Sequence, residues 1–468
     1  MKKYLLVSLF ILLCVGWIYP VHAQEEQPSQ PVYIIQPGDT LWNIARRFHV
    51  SYQDLLEEND LSEDSPIRPG ETLTIPGFSS MSGILTTETI PFGESLSSLS
   101  DRYQISEDTL VRLNRLTTPM ELYAGLSVVL LADEEGHINE WTGKRKTLSE
   151  GRSLLEAAIE EHVNPWKVVS QNDLEGTWDL IPGQVVRVSG AEDSGPGGFP
   201  REISEVTFSP PKFVQGNTMV FRVTAPSGTE VNGKFGDYIL HFFPSGDDYV
   251  ALQGVHAMAD TGIHPVSLYG QLTDGTPFAH QQMVRVVDKD FGYREIPGVP
   301  PETVSIELSR KEKERLASFA EDFSPQKEWK GKFSVPVPEK YKDPWPLFGE
   351  HRSYNGSGYY YYHSGIDFST WGNFGIDIYA AAPGEVVYAR TDSLIYGGVT
   401  MIDHGWGVYT VYGHQQEILV REGQRVKEGD VIGKVGSSGR STGPHLHWEV
   451  WVGGVPVDPE NWLNNRYP

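Results

Sequence analysis

"GPHLHWEV" (443–450) alternates polar and apolar residues, so His445 and His447, two apart, share one face of a strand while Leu446 turns into the opposite layer. Earlier in the chain, "YHSGIDFS" (362–369) sets His363 four residues before Asp367, and its Gly365 favours a bent loop entering a strand over a helix. Two imidazole nitrogens and one carboxylate oxygen can hold zinc and leave a position for water. His363, Asp367 and one histidine of the strand pair meet that requirement. A further histidine, His414, ends the alternating run "VYTVYGH" (408–414) and is followed by Gln415 and Gln416. Two histidines beyond the ligands would supply a proton acceptor and a group that stabilises developing negative charge. The residues alone do not assign those two jobs.

Around these stretches, "GEVVYAR", "GGVTMID" and "DVIGKVG" are further strand-like runs, joined by turns such as "PGE" and "KEGD". The C-terminal segment therefore reads as all-β, an architecture whose strand ends and loops can gather distant side chains into one cleft.

A chain of 468 residues is expected to hold several domains. Its start, "MKKYLLVSLFILLCVGWIYPVHAQ", reads as a signal peptide over 1–23, with Lys2 and Lys3 before an apolar run and a small cleavage residue at Ala23. That run is short for a bilayer and no second one follows, so an exported protein is expected, cell wall-associated, extracellular or periplasmic, with no stable membrane span after cleavage. Cys14, the single cysteine, lies inside the run. Cleavage would leave no thiol, which excludes disulfides and sulfur-held metal and leaves nitrogen and oxygen as the only metal donors. The formal charge of -24 disfavours nucleic acid as a partner, because no basic stripe exists to replace phosphate counterions.

The first half carries an internal repeat. Gly38, Gly93 and Gly151 each precede a second glycine by 32 positions, at Gly70, Gly125 and Gly183. Each copy also has a leucine three residues on (Leu41, Leu96, Leu154), an asparagine at plus 21 (Asn59, Asn114, Asn172) and a leucine soon after (Leu61, Leu116, Leu174). Every unit supports a strand, two short helices and a strand. In the first, "TLWNIARRF" puts Leu41, Ile44, Ala45 and Phe48 on one helical face. "SYQDLLEEN" begins with a Ser51 to Asp54 capping spacing. "NPW" opens the second helix of the third copy with an asparagine cap and a proline.

"VYIIQPGDTLWNIARRFHVSYQDLLEENDLSEDSPIRPGETLTIP" (32–76) resembles the LysM family of peptidoglycan- and chitin-binding modules. Three small βααβ LysM-like modules are expected, over 32–77, 84–132 and 141–190, the last two divergent at their openings. The resemblance implies a groove for N-acetylglucosamine sugars between the first strand–helix loop and the second helix–strand loop. Gly38, Asp39 and Thr40 fall on one side of it and Ile67, Pro69 and Gly70 on the other.

"SGAEDSGPGGFPREIS" (189–204) reads as a linker. Short alternating runs such as "MVFRVTA", "YILHFF" and "QQMVRVV" then suggest a β-sandwich middle domain over 200–298, in which His256 and His264 read as surface or loop residues. "SRKEKERLASFAEDF" (309–323) reads as a charged helix, and a proline-rich crossing completes a 299–345 connection.

The segment 346–468 resembles the M23 or LytM-type zinc endopeptidases, the lysostaphin-like group. "HSGID" matches the family's first signature, which implies His363 and Asp367 as zinc ligands. "GPHLHWEV" matches the second, which implies His447 as third ligand and His445 as a catalytic histidine. His414 in "YGHQ" corresponds to the family's intervening catalytic histidine, and Gln415 departs from the usual leucine after it. The resemblance implies a mainly antiparallel-β fold with a long groove, cutting peptides of bacterial peptidoglycan. Arg352 resembles an arginine common near the first signature and is expected to contact substrate, with pairing to an acid as the alternative, and Tyr354 and Tyr362 are expected to line the groove. The expected protein is a wall-targeted zinc peptidase, with a non-catalytic wall-binding scaffold or activator of another hydrolase as the alternative.

Overall fold

The computed structural model describes residues 30–468 except 79–80, 134–135, 139–142, 150, 173, 189–194 and 346. The signal peptide expected at 1–23 lies outside the described residues. The chain divides into one compact unit ending at Leu85, with Asp133–Gly136, and a second comprising Thr86–Ala132 and His137–Pro468.

Each copy of the repeat forms a strand, two helices and a strand. The first runs Val32–Ile34, Leu41–Arg47, Tyr52–Glu58 and Thr72–Thr74, its two strands antiparallel. The second has helices Leu96–Tyr103 and Glu107–Asn114, flanked by Ile84–Thr89 and Ser127–Ala132. The third pairs Lys144–Thr147 with Val185–Val188 around helices Leu154–Glu160 and Pro165–Gln171. Asn164 caps the last of these by accepting from the Trp166 N–H at 2.9 Å.

The asparagine at plus 21 is what ties each unit together. Asn59 Nδ2 donates to the carbonyls of Leu55 and Thr74, both at 2.8 Å, and its Oδ1 accepts from the Thr74 N–H at 2.7 Å. One amide thus joins the helix end to the closing strand. Asn114 makes the same three bonds to Leu110 and Val129, and Asn172 makes them to Val168 and Arg187. The spacing is fixed because all three backbone groups must face one side chain.

Two sheets follow in the second unit. Phe243–Ser245, Asp248–Gly254, Thr218–Thr224 and Glu205–Ser209 form one, and Tyr238–Leu240, Glu230–Phe235, Gly262–Gln271 and Pro277–Val287 lead the other. They share a core in which Phe221 and Val223 meet Phe235, Val266 and Val284. Tyr123–Ala124 of the second repeat extends the latter sheet in parallel with Pro277–Val287.

Part of the stretch read as a linker is interior. Phe199 and Ile203 are both 0% exposed and belong to that core, and the Arg145 guanidinium donates to the Phe199 carbonyl at 2.8 Å. Its glycines serve close approach: a Cβ on Gly198 would sit 2.2 Å from His280 Nδ1. The charged helix also shifts, to Ile306–Phe319, because Ser305 is its cap and Ser309 bonds back to the Ser305 carbonyl at 2.9 Å.

The C-terminal sheet is antiparallel, in the order Ile366–Ser369, His445–Val452, Val408–Ile418, Gly397–Asp403, Gly384–Ser393 and Arg425–Val426. Leu446, Trp448, Val450 and Val452 are all 0% exposed on the inner face of the second of these strands, so alternation fixes which residues face outward. Register then sets Asp367 directly opposite His447. This core runs on into the middle sheets, where Phe243 stacks on Trp406 with centroids 5.3 Å apart and Trp462 Nε1 donates to Thr218 Oγ1 at 3.0 Å. Among the described residues no helix is long and apolar enough to cross a membrane.

Replacing Asn59 by alanine leaves three partly buried backbone groups without partners and is expected to cost the first repeat about 2–3 kcal/mol. Amide hydrogen exchange should rise across residues 32–76, while the C-terminal sheet keeps its protection.

Candidate metal centre and cleft

His363, on the loop before strand Ile366–Ser369, meets the pair that the register places opposite each other. Its Nε2 lies 3.0 Å from Asp367 Oδ1 and 3.0 Å from His447 Nδ1, and His447 Nδ1 lies 2.8 Å from the same carboxylate oxygen. All three residues are buried. The outer nitrogens are already committed, since His363 Nδ1 donates to the Leu347 carbonyl at 2.8 Å and His447 Nε2 to Glu449 Oε1 at 2.9 Å. With both rings neutral, as ligation requires, imidazoles so anchored would turn lone pairs inward, and with the carboxylate they make three donors converging on one point. That donor set fits a divalent metal with a position left open.

The surroundings favour positive charge at this point. Burial alone would lower His447, but hydrogen bonds and charge from Asp367 and Glu449 lift it to about 9. Burial would likewise raise Asp367, yet the histidines around it hold its carboxyl well below the usual range. His363 is drawn down to about 4 by burial and by Arg352, so it presents a lone pair. Arg352, 7% exposed, reaches the other Asp367 oxygen at 3.3 Å and Glu350 at 3.5 Å. Its guanidinium therefore braces the Asp367 carboxylate.

Beside the triad, His414 and His445 face each other with ring centroids 4.6 Å apart. His414 Nδ1 donates to the Ser438 carbonyl at 2.7 Å and His445 Nδ1 to the Gly443 carbonyl at 2.8 Å. Each Nε2 is the atom left to work, and that of His445 is 3.8 Å from Asp367 Oδ1. Burial, together with His445 and His447, keeps the His414 pKa well below the usual imidazole range. Its backbone sits in the left-handed region at φ 60°, a conformation that a β-strand does not supply and that turns its ring out of the regular alternation. Gln415 is buried, with its amide donating to Thr400 Oγ1 and the Tyr412 carbonyl, both at 2.9 Å.

These residues line a cavity of about 510 Å³ that also takes in Tyr354, Tyr362, Tyr396, Lys313 and Arg440. Tyr362 is tethered through its hydroxyl to His256 Nε2 at 2.9 Å, so His256 packs against the cleft wall and stands apart from the triad. Sequence reading passed over Glu449, whose carboxylate is 0% exposed and takes donors from His447, Ser364, Tyr396 and Trp451. Its signal was present: it stands two residues after His447 and so on the same strand face.

In the first repeat, Ile67 and Gly70 line a second cavity with Ile35, Leu61 and Leu73, and Pro69 precedes it in the turn. Gly38, Asp39 and Thr40 lie outside that lining. Thr40 caps the helix by accepting from the Asn43 N–H at 3.1 Å. Asp39 is held by Tyr33 at 2.7 Å, the Gln36 N–H at 2.8 Å and Arg47 at 2.9 Å.

The family description "Peptidase family M23" matches residues 361–459, and "LysM domain" matches residues 33–76 and 89–130. The DD-carboxypeptidase/endopeptidase Mpg of Neisseria meningitidis serogroup B is 48% identical over 93 residues, 18% of this chain and 21% of that protein. Peptidoglycan DD-endopeptidase ShyB of Vibrio cholerae is 37% identical over 123 residues, 26% of this chain and 28% of ShyB. The lipoprotein NlpD/LppB homolog of Pseudomonas aeruginosa is 40% identical over 126 residues, 26% of this chain and 40% of that protein. The chain thus spans only 21–40% of the length of these relatives. With the triad inside the matched segment, the chain carries an M23 peptidase domain at residues 361–459 and two LysM domains ahead of it.

Proposed function

We propose that this protein is an exported zinc endopeptidase that hydrolyses peptide bonds in bacterial peptidoglycan and is held on the wall by its LysM modules. The observation that carries the reading is the convergence of His363 Nε2, Asp367 Oδ1 and His447 Nδ1 within a cavity that also holds His414 and His445. Zinc held by those three atoms would supply Lewis acidity toward water and a peptide carbonyl. The chain's own histidines move the protons. One Nε2, of His414 or His445, accepts the proton of the attacking water and delivers it to the leaving amine; the other ring stabilises the oxyanion. Arg352 and Glu449 hold the ligands in place. Tyr354 and Tyr362 offer aromatic surface to the substrate backbone.

Targeting is read from the repeats. The Asn172 bonds in the third copy, which repeat those of Asn59 and Asn114, support reading it as a further LysM-type unit, and the two middle sheets as a sandwich between binding and cutting parts. Peptidoglycan glycan would sit against Ile67 and Gly70, with Asp39 shaping the adjacent turn.

Incubating zinc-loaded protein with defined peptidoglycan fragments should create new peptide termini visible by mass analysis, and His447→Ala should create none. Wall binding without any new terminus would favour the scaffold or activator reading instead.

Glu449→Gln keeps the shape but weakens the acceptor for His447 Nε2, and should lower zinc affinity about 10–100-fold in a chelator competition. Unchanged affinity would show that the carboxylate does not position the ligand.

A further inference from the structure

We infer that Lys313 and Arg440 form a carboxylate-binding subsite beside the metal triad, one that seats a free carboxylate of the peptide being cut. The inference rests on the endopeptidase reading and adds a preference to it. Helix Ile306–Phe319 lies outside the matched segment 361–459, yet its Ser309 and Lys313, one turn apart, line the same cavity as His363, Asp367 and His447. The wall they form lies outside that matched segment.

Arg440 is preorganised there. Its Nη1 donates to Ser309 Oγ at 2.8 Å and to the Thr303 carbonyl at 3.4 Å, and the guanidinium lies over the rings of Tyr354 and Tyr361, 4.3 and 5.0 Å from their centroids. Lys313 Nζ is 3.7 Å from the centroid of Tyr362. Among the described residues neither cation has a carboxylate within ion-pair distance, in a chain with 62 acidic and 38 basic side chains. The neighbouring cleft arginines do have one: Arg294 and Arg352 both reach Glu350. Glu449, whose charge reaches Lys313, is already saturated by its own donors.

Two cations facing one cavity repel each other, and burial adds to that by drawing Lys313 down to about 8. An anion is the complement that relieves both effects. A planar guanidinium fits a carboxylate in a fixed plane, and the flexible ammonium adds a point charge beside it. Lysine and arginine resting on aromatic rings are held in place without being neutralised. The ligand class is therefore a peptide with a free carboxylate next to the bond cut, carried either by a side chain or by the chain end.

The test titrates the zinc-loaded full chain with N-acetyl-D-alanyl-D-glutamate, its side-chain amide and its C-terminal amide, read by calorimetry. One amide should bind about tenfold more weakly than the diacid, in the range of a charge-assisted hydrogen bond, and which one identifies the source of the carboxylate. Lys313→Met and Arg440→Gln should erase the difference, leaving affinity for that amide unchanged, and Lys313→Arg should restore it. Because Arg440 also holds the helix, the Lys313 pair decides if Arg440→Gln fails to fold. Equal binding of all three peptides, no binding of any, or a uniform change in Lys313→Met would overturn the subsite; uniformly tighter binding would mark the helix as an obstruction. Cleavage of wall fragments by the unsubstituted protein is scored separately, so equal binding of the three peptides by that protein with intact cleavage sinks the subsite alone.

Discussion

Strand register is the constraint on which the rest of this structure depends. Asp367 and His447 become neighbours because Ile366–Ser369 and His445–Val452 pair with those two residues opposite. The buried Leu446, Trp448 and Val450 enforce the pairing, since a slip by one residue would drive histidines into the core and tryptophan into the cleft. Apolar packing on one face therefore determines electrostatics on the other. The same alternation brings Glu449 beneath His447, so one strand contributes two cleft histidines and the carboxylate that braces one of them.

The repeats follow a comparable logic with different chemistry. Their cores are small, and a single amide in each unit closes helix onto strand by bonds to both. Differences between the copies gather where those bonds are not made, which explains how the openings diverge while the asparagine spacing stays at 21 residues. The second copy then adds an edge strand to the middle sheet through Tyr123–Ala124.

Much of the cleft was legible from residue types at a spacing. His363 with Asp367, and His445 with His447, are local patterns whose chemistry survives without knowledge of the path between them. The left-handed turn at His414 was not legible, because it arises where strand register shifts around Gly398 and Gln415. Nor were Lys313 and Arg440, which come from a helix and a loop with no common periodicity and meet only through tertiary packing. The 195–203 stretch misled for a physical reason: glycine and proline mark flexible connections, but they also permit the tight approach that buries Phe199 beside His280. Asp39 shows the reverse case, a residue noticed for a groove and found outside the cavity lining, bonded to Tyr33, Gln36 and Arg47.

The peptidase core does not stop at the edge of the matched segment. Gly254 of the middle sheet approaches so closely that a Cβ there would lie 2.6 Å from Val457 and 3.0 Å from the Val452 carbonyl, and Lys289 pairs with Asp458 at 2.8 Å. Where homology ends and where cooperativity ends are thus different boundaries. A fragment excised at 361–459 would lose Trp462 and the partners of Trp406, exposing an oily seam prone to self-association. For this chain the smallest sensible piece is the C-terminal sheet together with the middle sheets it packs on, expected to melt as one body.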